Sequence, residues 1–258
     1  MRASLLCFLL AGSFLDRAHA KTPARAGEIF SPPLADPWQS RTAASYFRLG
    51  GVDSADLSLG AAAGFGRSRW GRDLSWQSQW EAEAMARARL ARNGRTEAAD
   101  LSAALPVVLR RGDVSFKITP FYRGADSGRP RFHQAGLRTL AALEPSARLR
   151  LYAGTSLFVK TSDSPKRWGL QAGGELLSPE FQFSVSPRTR AYLASDIQGY
   201  EAAGFNPEVS IAAGLRLARA NSRRNARLQA GWHDRRSIYG RFSSRRERWV
   251  DFTLVFEP

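Results

Sequence analysis

Few side chains in this sequence have the chemistry of catalysis or metal binding. The 258 residues include three histidines and one cysteine. Cys7 and His19 fall in an N-terminal stretch with the pattern of a cleaved signal peptide, so His133 and His233 would be the histidines of the mature chain. These two are far apart in the sequence and have no metal-ligand spacing. We therefore predict no metal site, no cofactor and no disulfide.

The same two histidines are the candidate bases of a serine hydrolase. Such an enzyme needs a histidine within hydrogen-bond reach of its nucleophile, oriented by a third polar group. His133 follows Asp126 and Ser127 in a polar stretch, and His233 precedes Asp234. Because no nucleophile motif accompanies either histidine, we assign no catalytic residue and lean against an enzyme. A hydrolase that modifies lipids is kept as an alternative.

Basic residues carry more information, since the formal net charge is +15. Seven of them fall on the polar side of alternating segments: Arg87, Arg89, Lys117, Arg148, Arg150, Arg216 and Arg227, with Lys160 as an eighth. Carboxylates on the same side are Glu81, Glu83, Glu144, Glu175 and Asp196. One interpretation is a basic lumen that binds or passes small anionic solutes. The other is a network of arginine–carboxylate pairs that stiffens the structure.

The elements that would position these residues are long strands. In SWQSQWEAEAMARARLARNG, from Ser75 to Gly94, small or apolar residues alternate with polar ones from Trp76 to Leu90. The composition favours a helix, but a helix would scatter these charges around its whole circumference, whereas a strand places them on one face. The segment is therefore predicted to be a strand much longer than the usual five or six residues.

Similar alternation recurs along the chain, and we count about twelve strands. Examples are 58–65, 101–109, 114–122, 149–159, 209–217 and 250–256, with a first strand near 41–48. Short turns such as 111–113 and 145–146 alternate with longer polar connections such as 123–136 and 234–245. Short turns at one end and long loops at the other are typical of outer-membrane barrels.

These features predict an all-β fold, a closed antiparallel up-and-down transmembrane β-barrel. No stretch after the signal approaches the eighteen apolar residues of a membrane-spanning helix, but a closed barrel also satisfies every backbone group in lipid. Aromatic residues near predicted strand ends would form girdles at the lipid interface: Trp76, Tyr122, Trp168, Phe205, Trp232 and Trp249.

The N-terminal sequence sets the predicted boundaries. Arg2, an apolar run and Ala18-His19-Ala20 predict a signal peptide over 1–20, cleaved after Ala20. We place 21–37 in the periplasm as an N-terminal segment and 38–258 in the barrel. The predicted location is the outer membrane of a Gram-negative bacterium. The predicted partners are outer-membrane lipid and lipopolysaccharide, the barrel assembly machinery and, as an open alternative, small anionic solutes. Export argues against nucleic acid.

Several blocks resemble one known family. They are SPPLADPWQSRTAASY, AADLSAALPVVLRRGDVSFKITPFYRG, YLASDIQGYEAAGFNPEVSIAAGLRL and GWHDRRSIYGRFSSRRERWVDFTLVF. They are similar to an uncharacterised bacterial outer-membrane β-barrel family, domain-of-unknown-function family 1207. The resemblance spans nearly all of the mature chain and implies location and architecture without an established activity. Where typical members carry a segment rich in histidine and serine, this chain has FYRGADSGRPRFHQ.

Three functions remain open at this level. The first is an integral outer-membrane barrel with a structural role or a role in solute passage, including passage of anions. The second is a lipid-modifying hydrolase of the same architecture. The third is a soluble periplasmic β-barrel or sandwich that binds a ligand, although strands this long are unusual for a sandwich.

Overall fold

The alternating segments form one continuous antiparallel sheet. The computed structural model describes residues 29–71, 75–125, 132–162, 167–183, 186–218 and 225–257, so the predicted signal peptide lies outside the described residues. The strands are β1 (Thr42–Leu49), β2 (Val52–Trp70), β3 (Trp76–Ala91), β4 (Thr96–Ala104), β5 (Val107–Arg111), β6 (Val114–Ala125), β7 (Phe132–Leu143), β8 (Leu149–Thr161), β9 (Trp168–Leu177), β10 (Phe181–Phe183), β11 (Ser186–Tyr200), β12 (Glu208–Ala218), β13 (Asn225–Arg236) and β14 (Arg246–Glu257).

The sheet closes on itself. β1 pairs with β14 from Thr42 opposite Phe256 to Arg48 opposite Val250. β4 and β5 both lie between β3 and β6 and act as one interrupted strand, and β10 is a short segment beside the start of β11. The predicted fold class is therefore confirmed: an all-β, closed antiparallel up-and-down barrel of twelve strands. In the described residues no helix is long and apolar enough to cross a bilayer.

The interruption between β4 and β5 has a local cause. The sequence predicts one strand from 101 to 109, but Pro106 has no backbone N–H and cannot donate to a neighbouring strand. Its carbonyl still accepts a hydrogen bond of 2.8 Å from the Glu81 amide, and the Leu105 amide donates to the Pro120 carbonyl at 3.1 Å. The wall therefore remains hydrogen-bonded on both sides of the break.

The two faces of the wall differ as the alternation predicts. In β3 the side chains of Glu81, Arg87 and Arg89 are buried in the lumen, whereas Trp80 points outward. Large apolar side chains cover the outer surface, including Leu59, Leu101, Val159, Leu170 and Phe252. Trp249 is an exception to the predicted girdle, because it lies on the inward parity of β14 and is buried between Phe47 and His233.

The barrel has two distinct ends. At the terminal end, where β1 begins and β14 ends, the described connections include 112–113 and 144–148. At the loop end the described connections include 50–51, 92–95, 201–207 and 237–245. The tight connection at 50–51 uses Gly50 and Gly51, both at positive φ, as a two-residue hairpin with a type I′ turn requires.

Residues 29–41, here called the lumen segment, lie inside the barrel. Ile29 and Phe30 pack against Val108 and Tyr152, and Leu34 packs in a second cluster with Tyr192 and other wall residues. This corrects the prediction that 21–37 is a periplasmic segment, because the described part of it, 29–37, is buried in the lumen. The sequence did not predict this position, because a segment without alternating polar and apolar residues does not indicate which strands surround it.

Candidate functional site

Near the terminal end, basic residues hold the start of the lumen segment. Lys117 Nζ lies 5.7 Å from the Phe30 ring centroid, and the Arg150 guanidinium lies 4.8 Å from it. These are cation–π distances. Lys117 also forms ion pairs with Glu81, at 2.8 Å, and with Glu83. Lys117 is therefore balanced by carboxylates while it contacts the segment, and Arg150 lies 3.5 and 3.6 Å from Glu144 and Glu175.

Midway along the lumen, wall side chains bind the backbone of the segment. The Leu34 amide donates a 2.6 Å hydrogen bond to Glu175 Oε1. Arg87 donates to the Pro37 carbonyl at 2.7 Å, and Arg227 donates to the Leu34 carbonyl at 3.4 Å. A segment without secondary structure must find partners for its buried peptide groups, and charged wall residues supply them here.

Asp36 is the most fully bonded residue of the lumen segment. Its Oδ2 forms an ion pair of 3.0 Å with Arg138 Nη1, and its Oδ1 accepts a hydrogen bond of 2.9 Å from the Trp38 amide. Gln198 Nε2 lies 3.4 Å from the same Oδ1. Because Asp36 is 1% exposed, this carboxylate depends on those partners for its charge to be tolerated.

The other predicted lumen cations divide into three cases. Arg89 is buried, and its guanidinium donates two hydrogen bonds to Glu247, of 2.9 and 3.0 Å. Arg216 is half-buried and lies in register with Arg227. Arg148 and Lys160 are exposed, which corrects their predicted lumen positions. Arg148 belongs to the turn before β8, and a register irregularity between β7 and β8 accompanies the exposure of Lys160.

The loop-end half of the lumen contains a cavity of about 150 Å³, here called the loop-end cavity. Five arginines contribute to its wall: Arg87, Arg123, Arg138, Arg235 and Arg236. Aromatic side chains also line it, namely Trp38, Phe121, Phe132, Phe158, Trp168 and Tyr200, together with the carboxylates Glu83, Asp100 and Glu208. The site therefore combines positive charge with flat apolar surfaces, and Trp38 from the lumen segment belongs to its lining.

Three arginines surround the Trp38 ring. The guanidinium carbons of Arg123, Arg235 and Arg87 lie 3.8, 5.7 and 5.8 Å from its centroid. The indole Nε1 donates to Gln198 Oε1 at 3.2 Å. An aromatic face attracts cations through its quadrupole, so this single side chain connects the lumen segment to four wall strands, β3, β6, β11 and β13.

His233 has a serine and an aspartate beside it. Its Nδ1 lies 3.1 Å from Ser210 Oγ, its Nε2 lies 3.3 Å from Asp251 Oδ2, and its ring stacks on Trp249. These groups match a hydrolase triad in type, but Ser210 is 1% exposed and does not line the loop-end cavity. A nucleophile must be reached by its substrate, so the cluster is best described as a buried polar ladder across β12, β13 and β14.

His133 forms no comparable group with described residues. Its backbone amide donates to Ser162 Oγ at 3.3 Å, while Asp126 and Ser127 lie outside the described residues. In the described part of the chain no group of three histidine, aspartate or glutamate side chains is placed to hold a metal ion.

Sequence reasoning found part of this lumen and missed the rest. Arg87, Lys117, Arg150 and Arg227 lie in the lumen as the alternation predicts, and all four contact the lumen segment. Asp36, Trp38, Arg123, Arg138 and Arg235 were missed. Arg123, Arg138 and Arg235 do fall on the inward parity of their strands, and that signal could have identified them.

The fold is similar to that of known outer-membrane barrels. Outer membrane phospholipase A from Escherichia coli matches with a TM-score of 0.58 and 11% identity, over 90% of this chain and 95% of that one. An active-site mutant of that protein matches with a TM-score of 0.62 and 11% identity, over 93% and 99%. The calcium-bound dimer of the outer membrane phospholipase of Salmonella typhi matches with a TM-score of 0.60 and 11% identity, over 86% and 94%.

At this identity the likeness shows a shared fold. No family model matches the chain, and no curated protein matches it. The resemblance of its sequence blocks to the uncharacterised family therefore stays a prediction. What the comparisons establish is that this chain has the same closed barrel as outer membrane phospholipase A.

Proposed function

We propose that this protein is an integral outer-membrane β-barrel whose lumen is closed by its own N-terminal segment, and that solutes pass only when the segment is displaced. The proposed site is the outer membrane of a Gram-negative bacterium, with lipid and lipopolysaccharide around the wall. The barrel assembly machinery is the expected folding partner.

The outer surface supports a position in lipid. Leu59, Leu101 and Phe252 are 66–70% exposed, although apolar side chains of this size are normally withdrawn from water. The lumen, in contrast, buries arginine, lysine and glutamate. A barrel with apolar residues outside and polar residues inside is suited to a bilayer, and the shared fold with outer-membrane barrels agrees with this position.

The position of the lumen segment is the observation that supports a closed lumen. Its backbone is bonded to Glu175, Arg87 and Arg227, and its Asp36 pairs with Arg138. These contacts lie at successive levels along the lumen, and Trp38 continues them into the loop-end cavity. A basic lumen filled in this way favours a gated passage over a permanently open anion pore.

Deleting residues 21–40 from the mature chain tests the proposal in planar bilayers. The intact mature chain is expected to be nearly silent, and the deletion is expected to give stable conductance with a preference for anions, because the lumen cations Arg87, Arg138 and Arg227 lose their contacts. Heat-modifiable migration on gels confirms that each barrel is folded. If the folded deletion is as silent as the intact chain, closure by the segment is wrong.

An intact-length variant covers the case in which the deletion does not fold. Asp36→Asn removes the ion pair to Arg138 and keeps the segment, so it is expected to give brief openings that the parent lacks.

Cell fractionation tests the membrane position. If the protein is recovered in the soluble periplasmic fraction without detergent, the membrane position is contradicted.

A further inference from the structure

Two arginines of the loop-end cavity have no carboxylate partner among the described residues. Arg87 donates to the Pro37 carbonyl and lies near Met85 Sδ. Arg123 forms no ion pair with the described residues, and its Nε has no hydrogen-bond partner in that part of the chain. Positive charges inside a protein are normally paired, so two such arginines at one cavity are unusual.

Among the described residues, the carboxylates that line the cavity form no ion pair with Arg87 or Arg123. Glu208 contacts Arg236 at 2.6 Å and Arg235 at 3.5 Å. Glu83 pairs with Lys117. Asp100 Oδ2 accepts a hydrogen bond of 2.8 Å from the Gly240 amide, and its charge acts on Arg123 and Arg87 through space without an ion pair among the described residues. Because the described lining has five arginines and three carboxylates, the cavity retains a net positive charge.

Aromatic rings hold the Arg123 guanidinium in place. Its central carbon lies 3.8 Å from the Trp38 centroid and 4.9 Å from the Phe132 centroid. These ring contacts hold the guanidinium without using its N–H groups. An arginine arranged in this way is suited to bind a planar oxyanion such as a carboxylate through paired hydrogen bonds.

The rest of the cavity sets the shape of the ligand. Phe121, Phe158 and Tyr200 add flat apolar surface, and Phe121 and Phe158 meet edge to face at 6.0 Å. A volume of about 150 Å³ is comparable to a cavity that accepts benzene. We infer that the loop-end cavity is a binding site for a small organic carboxylate with a flat apolar body, and that Arg123 binds its carboxylate.

The site is independent of solute passage. It is complete in the closed state, because Trp38 of the lumen segment forms part of its lining, and ligand binding does not require the segment to move. If the conductance experiments contradict closure by the segment, the inferred carboxylate site is unaffected. Deleting residues 21–40 is expected to weaken binding, since the deletion removes Trp38.

Titration calorimetry of the mature chain in a neutral detergent tests the inference with benzoate as the probe. Benzamide has the same shape without the charge, and inorganic phosphate has charge without the apolar body. Benzoate is expected to bind at least about tenfold more tightly than either, because one charge-assisted hydrogen bond corresponds to roughly that factor. Equal binding of benzamide, or tighter binding of phosphate, would overturn the assignment.

Substitution of Arg123 locates the site. Arg123→Gln is expected to lower benzoate affinity by about 10- to 100-fold. Arg148→Gln removes the same charge from the exposed turn before β8 and is the matched control. If the two substitutions have equal effects, benzoate responds to net charge and the assignment fails. The comparison of benzoate with benzamide uses the unmodified chain, so the test remains decisive even if Arg123→Gln does not fold.

Discussion

The ion pair between Asp36 and Arg138 is the sharpest test of how the lumen is closed. Asp36→Asn keeps the size of the side chain. It also keeps an oxygen that can accept the hydrogen bond of the Trp38 amide, which is 2.9 Å long in the parent. It removes the charge that faces Arg138 Nη1 at 3.0 Å. The change therefore weakens one contact between the lumen segment and the wall and leaves the others in place.

The expected magnitude follows from the burial of the two partners. A hydrogen bond to a charged group contributes about 1.5–3 kcal/mol. The Asp36 side chain is 2% exposed, but that of Arg138 is 21% exposed, so water can partly replace the lost partner and a value near 2 kcal/mol is reasonable. This free energy corresponds to about a 30-fold increase in the population with a displaced segment.

Two measurements report that population. Hydrogen exchange of the amides in 29–41 is expected to accelerate about 30-fold if exchange occurs from the displaced state, and the open probability in planar bilayers is expected to rise by a similar factor. Glu180→Gln is the matched control, because the Arg190–Glu180 pair has a similar distance of 2.9 Å but Glu180 is 46% exposed. Equal exchange rates in the two variants would refute the role given to Asp36.

Three further predictions concern the barrel itself. A Cβ at Gly60 would lie 2.6 Å from the backbone of the lumen segment, so Gly60→Ala is expected to lower the temperature at which the barrel unfolds and its gel migration changes. Gly124→Ala is the control, because the nearest contact of its Cβ is at 3.4 Å, and it is expected to leave that temperature almost unchanged. Equal temperatures for the two variants would contradict the close approach at Gly60. Glu247→Gln removes the charge that pairs with both Nη atoms of the buried Arg89 and leaves Asp56, at 3.5 Å, as its remaining carboxylate. It should destabilise the barrel by about 3 kcal/mol in urea titrations, and an unchanged midpoint would show that the pair contributes nothing. Leu59→Arg should reduce folding into liposomes at a cost of up to about 2–4 kcal/mol, and unchanged folding would argue against lipid at that surface.

The alternation of side chains determined most of the barrel. From Trp76 to Leu90 the alternation outweighs the helical composition and indicates a strand with one polar and one apolar face. A wall of such strands has to close when it has water on one side and lipid on the other. For the same reason the inward direction of Arg87, Lys117 and Arg227 followed from parity alone. Parity was less reliable where a turn or an irregular register interrupts it, as at Arg148 and Lys160.

The contents of the lumen were decided only by the tertiary structure. Residues 29–41 have no period, and their place inside the barrel depends on partners from many strands, such as Glu175, Arg138 and Arg227, that no local pattern connects. Whether an inward arginine pairs with a carboxylate, holds the lumen segment or faces an open cavity depends on distances between strands far apart in the chain. Alternation decides which side of the wall a residue faces, and the closed barrel decides what it meets there.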